Sequence, residues 1–207
     1  QVEHPRVLVG LDSRPSGCML EQAAVAGLLA AGCRVTRLGI LSTPATAMKV
    51  QQSQADGGLV LTASHNPQPW NGIKPLRHDG VAPPADEASQ IVQNYQAGAP
   101  HYVEADQLQP LTSDDTGAAA HAEAVAALLD VDAIRGAGLE VVIDSVCGAG
   151  GAEARALMER LNVRARFHHA EPTGWFPHAP EPTRENLTEL AEAVPAEGAA
   201  VGFAQDP

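Results

Sequence analysis

The sequence predicts an α/β protein composed of two three-layer α/β/α domains. Two observations lead to this prediction: short apolar runs typical of buried strands alternate with helical patterns, and this β-α-β order occurs in both halves of the chain. A chain of 207 residues is also long enough to bury two hydrophobic cores. We place the boundary within residues 119–138, and assign residues 1–131 to the first domain and 132–207 to the second.

The first half contains three predicted strands and three predicted helices. A helical apolar face follows Ser16 and includes Leu20, Ala24 and Leu28, and Gly32 is expected to end that helix. In chain order, the strands cover residues 6–10, 34–38 and 57–61, and the helices cover residues 16–31, 45–52 and 85–95.

The second half repeats the same alternation of helices and strands. The alanine-rich segment 118–128 indicates a helix, because alanine has the highest helix propensity of the amino acids. We predict helices over residues 116–129, 151–161 and 184–193, and strands over residues 139–144, 163–168 and 199–203.

The most informative segment follows the third predicted strand. It reads Thr62-Ala63-Ser64-His65-Asn66-Pro67, and then Asn71-Gly72-Ile73-Lys74 after three further residues. Pro67 disfavours helix at Asn66, so Ser64 is expected on an exposed turn. These residues alone allow either a structural strand-to-turn connection or a reactive hydroxyl on a rigid bend. A hydrolase triad is disfavoured, because neighbouring residues in extended chain point to opposite sides and His65 could not reach the Ser64 hydroxyl.

This string resembles the active-site loop of the α-D-phosphohexomutases, the superfamily of phosphoglucomutase, phosphomannomutase and phosphoglucosamine mutase. The resemblance covers nearly the full chain, including Gly-Leu-Asp-Ser-Arg at 10–14, Val-Val-Ile-Asp-Ser at 141–145 and Glu-Pro-Thr-Gly-Trp-Phe-Pro at 171–177. It implies mixed sheets and the first two domains of a four-domain architecture. Residues 202–207 resemble only the start of the family's metal loop. We therefore expect an internal portion of a longer enzyme, inactive when isolated.

The resemblance implies a role for three residues of the serine loop. Ser64 would carry a phosphoryl group in the resting enzyme, and Lys74 would act as general acid or base toward a sugar hydroxyl. A solvated surface lysine is the structural alternative for Lys74. His65 would either take part in catalysis or orient the loop, and the sequence favours neither role.

The resemblance also implies a phosphate contact and a metal site. Arg14 would bind phosphate, because its planar guanidinium matches phosphate oxygens, although a structural ion pair with Asp12 is an alternative. Asp206 and the phosphorylated Ser64 would hold Mg²⁺, which prefers hard oxygen ligands. By contrast, the histidines at 168, 169 and 178 lack helical i,i+4 spacing and a cysteine partner, so we interpret them as ordinary histidines without a metal.

The implied function is the interconversion of hexose 1-phosphate and hexose 6-phosphate through a phosphoserine enzyme and a hexose 1,6-bisphosphate. The sugar remains open between the phosphoglucosamine mutase and the phosphomannomutase/phosphoglucomutase branches. The alternatives are a non-catalytic fragment that binds a phosphosugar or a partner, and a phosphoserine-dependent phosphatase. The expected partners are hexose phosphate, the bisphosphate and the remaining domains of the same polypeptide.

Composition excludes several other classes of function. The chain carries 25 acidic against 13 basic residues, which argues against a nucleic-acid surface. No apolar run approaches the length of a membrane span, so no membrane partner is expected. The three cysteines have no zinc or redox spacing. Ordinary thiols of this kind predict a reducing, cytoplasmic location.

Overall fold

The first structural unit is built on a mixed five-stranded sheet. A computed structural model describes residues 3–98 and 100–207. The strands are β1 (Arg6–Leu11), β2 (Arg34–Ile40), β3 (Gly57–Leu61), β4 (Ile73–Arg77) and β5 (Leu111–Ser113), in the spatial order β4-β3-β1-β2-β5. Strand β4 runs antiparallel to β3, and the other neighbouring strands are parallel.

Helices cover both faces of this sheet. The two that pack on it are α1 (Gly17–Ala30) and α2 (Thr43–Gln52), and α3 (Ala85–Ala97) follows β4 in the chain. On β1, Leu8 packs in a cluster with Val50 of α2, whereas its neighbour Val9 packs with Val25 of α1. Because adjacent strand residues point to opposite faces, α1 and α2 lie on opposite sides, and the predicted three layers are confirmed. None of the helices described in the structure is long and apolar enough to cross a membrane.

The second unit has a smaller sheet with the order β7-β6-β8. Its strands are β6 (Glu140–Asp144), β7 (Arg164–His168) and β8 (Val201–Ala204), and its helices are α6 (Gly151–Leu161) and α7 (Thr188–Ala196). Ala154 of α6 packs on Val141 and Ile143, and α7 packs against β6 and β8. Mixed strand directions were predicted for both sheets. The first sheet is mixed, whereas the three described strands of the second are all parallel.

Several elements differ from the sequence prediction. Strands β4 and β5 were not predicted; β4 contains Pro75, which is tolerated there because β4 is an edge strand. The helix predicted over 116–129 ends as α4 (Gly117–Ala126). Asp130 then caps the separate helix α5 (Val131–Gly136) by accepting from Ala133 N at 3.0 Å. Helix α7 starts four residues later than predicted, because Asn186 closes a turn onto the Thr183 carbonyl.

Helix α4 packs against α6 of the second unit. Glu123 of α4 forms an ion pair with Arg160 of α6 at 2.8 Å, and His121 bonds Glu153 of α6 at 2.6 Å. The two units are therefore joined by a helix that precedes residue 131. The domain boundary at that residue stays a prediction.

Candidate functional site

The Ser64 hydroxyl lies on a strained turn directly after β3. Ser64 has a φ of 54°, in the left-handed region that is uncommon for residues other than glycine. Its N–H donates to Thr62 Oγ1 at 2.9 Å, and the Asn66 amide donates to the Ala63 carbonyl at 2.8 Å. Asn66 thus shapes the turn. The Ser64 Oγ donates to Asp206 Oδ2 at 3.0 Å, so two predicted site residues from opposite ends of the chain meet.

The buried Arg14 side chain holds this turn through hydrogen bonds to its backbone. Its side chain is fully buried, and its Nε donates to Asp12 Oδ2 at 2.9 Å, which is the structural ion pair considered from the sequence. The four remaining N–H groups donate to backbone carbonyls of the serine loop at 2.6–2.9 Å: those of Ser64, Asn66, Pro67 and Trp70. All five donors of the guanidinium are therefore occupied. A phosphate contact by Arg14 stays a prediction, one that requires the side chain to release a carbonyl.

Lys74 and Asp206 share a cleft with Ser64. The cleft has a volume of about 410 Å³ and lies between the two units. Lys74 is exposed on the edge strand β4, where it pairs with Val60. His65 is also exposed but does not line the cleft, and it forms no hydrogen bond within the part of the chain that the structure describes. The predicted trio of Ser64, Lys74 and Asp206 is therefore brought together, and His65 stands apart.

The same cleft contains three residues that the sequence analysis missed. Glu153 is 7% exposed and accepts from both the backbone N–H and the hydroxyl of Ser42, each at 2.8 Å. It also accepts from His121 Nδ1 at 2.6 Å. Ser42 caps α2 of the first unit, so this carboxylate ties the two units together beside Ser64. No local motif could reveal the contact, because 111 residues separate Ser42 from Glu153.

Comparison with known families identifies this arrangement. Residues 1–101 match the family model for phosphoglucomutase/phosphomannomutase alpha/beta/alpha domain I, and residues 119–207 match the model for domain II. The chain belongs to the phosphoglucomutase/phosphomannomutase family. The resemblance inferred from the serine loop is therefore confirmed.

Individual members of the family agree with this assignment. A phosphoglucomutase/phosphomannomutase of Thermococcus kodakarensis is 38% identical over 99% of this chain and 45% of its own length. A protein of Methanothermobacter thermautotrophicus named probable phosphoglucosamine mutase is 37% identical over 97% of this chain and 44% of its own length. The crystal structure of a putative phosphomannomutase from Thermus thermophilus has a TM-score of 0.83 and 30% identity, covering 98% of this chain and 46% of that one. The chain thus spans less than half the length of the family members it matches.

In this member of the phosphoglucomutase/phosphomannomutase family, a loop of the second unit packs against Arg14 and supports the serine turn. Phe176 lies over the Arg14 guanidinium, with 5.1 Å from its Cζ to the ring centroid. The Ser13 hydroxyl donates to the Cys147 carbonyl at 2.7 Å, and that carbonyl also accepts from Gly174 N at 3.1 Å. Cation–π contacts of this kind contribute about 0.5–2 kcal/mol. Arg14 is therefore enclosed between the serine loop and residues 171–182, which we call the clasp loop.

The metal donors expected of this family fit a hard cation. Ser64 Oγ and Asp206 Oδ2 are both oxygen atoms, lie 3.0 Å apart and face the cleft. Oxygen donors of this kind suit Mg²⁺ in preference to softer metals. A phosphoryl group on Ser64 would add further oxygen atoms beside the same carboxylate. The donor chemistry is therefore compatible with the predicted ion.

Proposed function

We propose that this chain acts in a phosphohexomutase that interconverts hexose 1-phosphate and hexose 6-phosphate. The observation that supports this most directly is the grouping of Ser64, Lys74 and Asp206 in one cleft, with the Ser64 hydroxyl 3.0 Å from the carboxylate. A serine on a fixed turn between a carboxylate and an amine suits transfer of a phosphoryl group. Such reactions depend on positioning and charge neutralisation more than on covalent assistance.

The proposed cycle starts with a phosphoryl group on Ser64. A hydroxyl of the bound hexose monophosphate attacks the phosphorus atom, the bond to Ser64 Oγ breaks, and a hexose 1,6-bisphosphate forms. The Lys74 amine accepts the proton of the attacking hydroxyl, Ser64 Oγ takes a proton from solvent as it leaves, and both movements are reversed in the return transfer. After the bisphosphate turns over in the site, its other phosphoryl group passes to Ser64. His65, exposed beside Ser64, is a second candidate for contact with the transferring group.

Mg²⁺ is the proposed cofactor, held by Asp206 and the phosphorylated Ser64. When bound, it would neutralise part of the roughly −1.5 to −2 charge that a phosphoserine carries at neutral pH. The role of Arg14 in this proposal is to fix the serine loop. Its buried ion pair with Asp12 anchors the guanidinium, and its contacts with four carbonyls set the direction of the Ser64 hydroxyl.

The substrate class and the partners rest on the family. Members with similar sequence are named phosphoglucomutase/phosphomannomutase or phosphoglucosamine mutase, so we propose a hexose phosphate of one of these two groups. Because those proteins are about twice as long, we also propose that further domains supply sugar recognition. The cysteines Cys18, Cys33 and Cys147 are free thiols, which supports a cytoplasmic location.

Phosphorylation of Ser64 is the test of this proposal. The full-length enzyme that contains this chain is purified, incubated with hexose 1,6-bisphosphate and Mg²⁺, digested with trypsin and analysed by mass spectrometry. We expect phosphate on Ser64 in the peptide 50–77. Ser64→Ala should abolish this phosphate. Ser53→Ala should retain it, because Ser53 lies in the same peptide but its hydroxyl bonds the Lys49 carbonyl at 2.6 Å, away from the cleft.

The fate of the phosphate distinguishes the alternatives. Transfer from Ser64 to an added hexose monophosphate, with formation of bisphosphate, supports the mutase. Release as inorganic phosphate without bisphosphate indicates a phosphatase. A Ser64 that never gains phosphate from the bisphosphate would remove the mechanism and favour a phosphosugar- or partner-binding role.

A further inference from the structure

A second cluster of ligand-type side chains lies outside the cleft that contains Ser64. Asp144 ends β6, His169 follows β7, and His178 belongs to the clasp loop. His169 Nδ1 lies 3.1 Å from Asp144 Oδ1, and His178 Nε2 lies 2.9 Å from Asp144 Oδ2. One ligand atom from each residue falls within 4.8 Å of the other two. Three segments that are distant in sequence thus direct two imidazoles at one carboxylate.

The geometry of these ligand atoms is close to that of a metal site. Two ligand atoms about 2.1 Å from a tetrahedral Zn²⁺ lie about 3.4 Å apart. The distance from His178 Nε2 to Asp144 Oδ2, 2.9 Å, and that from His169 Nδ1 to Asp144 Oδ1, 3.1 Å, would each have to widen by only a few tenths of an ångström if the carboxylate binds through both oxygen atoms. Movements of that size are available to His169 and His178, because about a quarter or less of each side chain is exposed and neither is fully packed in the core.

The opposite nitrogen of each imidazole already faces an oxygen atom. His178 Nδ1 donates to the Ala179 carbonyl at 3.0 Å, which directs Nε2 toward Asp144. His169 Nε2 lies 4.0 Å from Glu189 Oε1, which is beyond hydrogen-bond distance. Histidines that bind metals almost always have such an acceptor on the second nitrogen, which fixes the tautomer and the ring orientation. His178 meets that condition, and Glu189 is the candidate acceptor for His169.

Asp144 is 3% exposed, and its carboxylate is held by hydrogen bonds from His169 and His178. The Val146 N–H, 2.9 Å from Oδ1, also fixes the orientation of the carboxylate. The overall charge of −12 favours the approach of cations in general.

We propose that Asp144, His169 and His178 form a binding site for a late first-row divalent cation such as Zn²⁺. The ligand atoms are the two Asp144 carboxylate oxygens, His169 Nδ1 and His178 Nε2, with water completing the coordination. Imidazole and carboxylate donors suit Zn²⁺, Co²⁺ and Ni²⁺, whereas Mg²⁺ prefers oxygen atoms alone. Binding leaves each imidazole neutral, with its ligand nitrogen unprotonated and its other nitrogen protonated, and any proton beyond that one is released to solvent. None of these three ligands belongs to the proposed Mg²⁺ site at Ser64 and Asp206.

Occupancy of this site would fix the clasp loop. His178 lies two residues after Phe176, which covers Arg14, and four after Gly174, which bonds the Cys147 carbonyl. A cation that links His178 to β6 would therefore hold the loop that encloses Arg14. We expect binding to reduce the mobility of the clasp loop and to raise the melting temperature.

Metal titration of variants tests this site. The protein is stripped of metal with a chelator, and Zn²⁺ binding is measured by calorimetry in the presence of millimolar Mg²⁺. We expect one Zn²⁺ site with a dissociation constant of about 1 μM or lower, weakened at least tenfold in His169→Asn and His178→Gln. Asparagine is chosen for position 169 because it tolerates the left-handed φ of 48°. His168→Gln is the matched control, because His168 bonds Glu197 at 2.9 Å and should leave Zn²⁺ affinity unchanged.

A measurement on the unmodified protein is independent of how the variants fold. In NMR spectra of the imidazole side chains, Zn²⁺ should shift the signals of His169 and His178 at one equivalent, and leave those of His168 in place. Co²⁺ should give visible absorption bands that Zn²⁺ abolishes. Unchanged signals of His169 and His178, or equal loss of affinity in the His168→Gln protein, would overturn the proposal. So would displacement of Zn²⁺ by millimolar Mg²⁺.

Discussion

Replacing Arg14 by lysine should destabilise the serine loop far more than an arginine-to-lysine change at the surface. Lysine keeps the positive charge but has three donors in place of five, so at least two of the bonds to Asp12 and the four carbonyls are lost. Each hydrogen bond to a charged group contributes about 1.5–3 kcal/mol. Arg14→Lys should therefore lower the free energy of unfolding by about 3–6 kcal/mol, which is a large share of the roughly 5–15 kcal/mol typical of a domain.

Urea unfolding measures this cost, and tryptophan fluorescence localises it. The only two tryptophans lie next to the Arg14 guanidinium contacts: the Trp70 carbonyl accepts a hydrogen bond from Arg14, and Trp175 precedes Phe176. Fluorescence should report loss of the loop at lower urea than circular dichroism reports global unfolding. Arg164→Lys is the control, because Arg164 is 76% exposed with one ion pair, and its change should stay within about 0.5 kcal/mol. If Arg14→Lys lowers the free energy of unfolding by less than about 1 kcal/mol, the hydrogen bonds of Arg14 do not determine the stability of the serine loop.

Three further outcomes are expected. The hydrogen bond from Lys49 lowers the pKa of Asp114 to about 2. The ion pair therefore stabilises the folded protein above the unfolded pKa of about 3.9, and this stabilisation is lost as the pH falls toward 2. Asp114→Asn should reduce the difference in unfolding free energy between about pH 7 and 2.5 by about 1 kcal/mol or less, measured by urea unfolding. Gly174→Ala should lower the free energy of unfolding by about 3 kcal/mol or more, because the new Cβ would overlap the Ser13 carbonyl and φ is left-handed at 70°. Gly138 also has a left-handed φ but has open space around it, so Gly138→Ala should lower the free energy of unfolding by only about 1 kcal/mol. Thermal unfolding compares the two variants. The isolated chain should show no measurable mutase turnover in a coupled assay with hexose 1-phosphate, and turnover would contradict the proposed need for further domains.

The elements that were predicted accurately from the sequence are those whose order of apolar and polar residues is determined by burial in the core. Helix α6 was predicted over 151–161 and is observed as Gly151–Leu161, and β3 also matches residue for residue. The edge strands β4 and β5 were missed, because an edge strand has little apolar periodicity and its pairing is decided by distant residues. The end of α4 was missed because Asp130 competes for backbone N–H groups, an effect that propensity alone does not capture.

The site was predictable to the extent that its residues lie in short contiguous motifs. Ser64 and Lys74 occur ten residues apart in one recognisable string, and Asp206 ends another. The Glu153 contacts with Ser42 could not be predicted, because they depend on how two separately folded sheets pack together. Spacing also gave no indication that His169 and His178 lie together. Spacing rules detect ligands on one helix, whereas these two residues converge on a strand end from two loops.

The position of the Ser64 hydroxyl depends on contacts from outside its own loop, and two of these come from the second unit. Within the loop, two side-chain bonds brace the turn, from Thr62 and Asn66. From outside, Arg14 contacts four loop carbonyls, Asp206 of the second unit accepts from the hydroxyl itself, and Phe176 covers the guanidinium. Because a misplacement of about 1 Å can cost roughly a hundredfold in rate, the packing of the second unit should control phosphoryl transfer as strongly as the serine motif does. Substitutions in the clasp loop, far from Ser64 in sequence, should therefore slow the phosphorylation of Ser64.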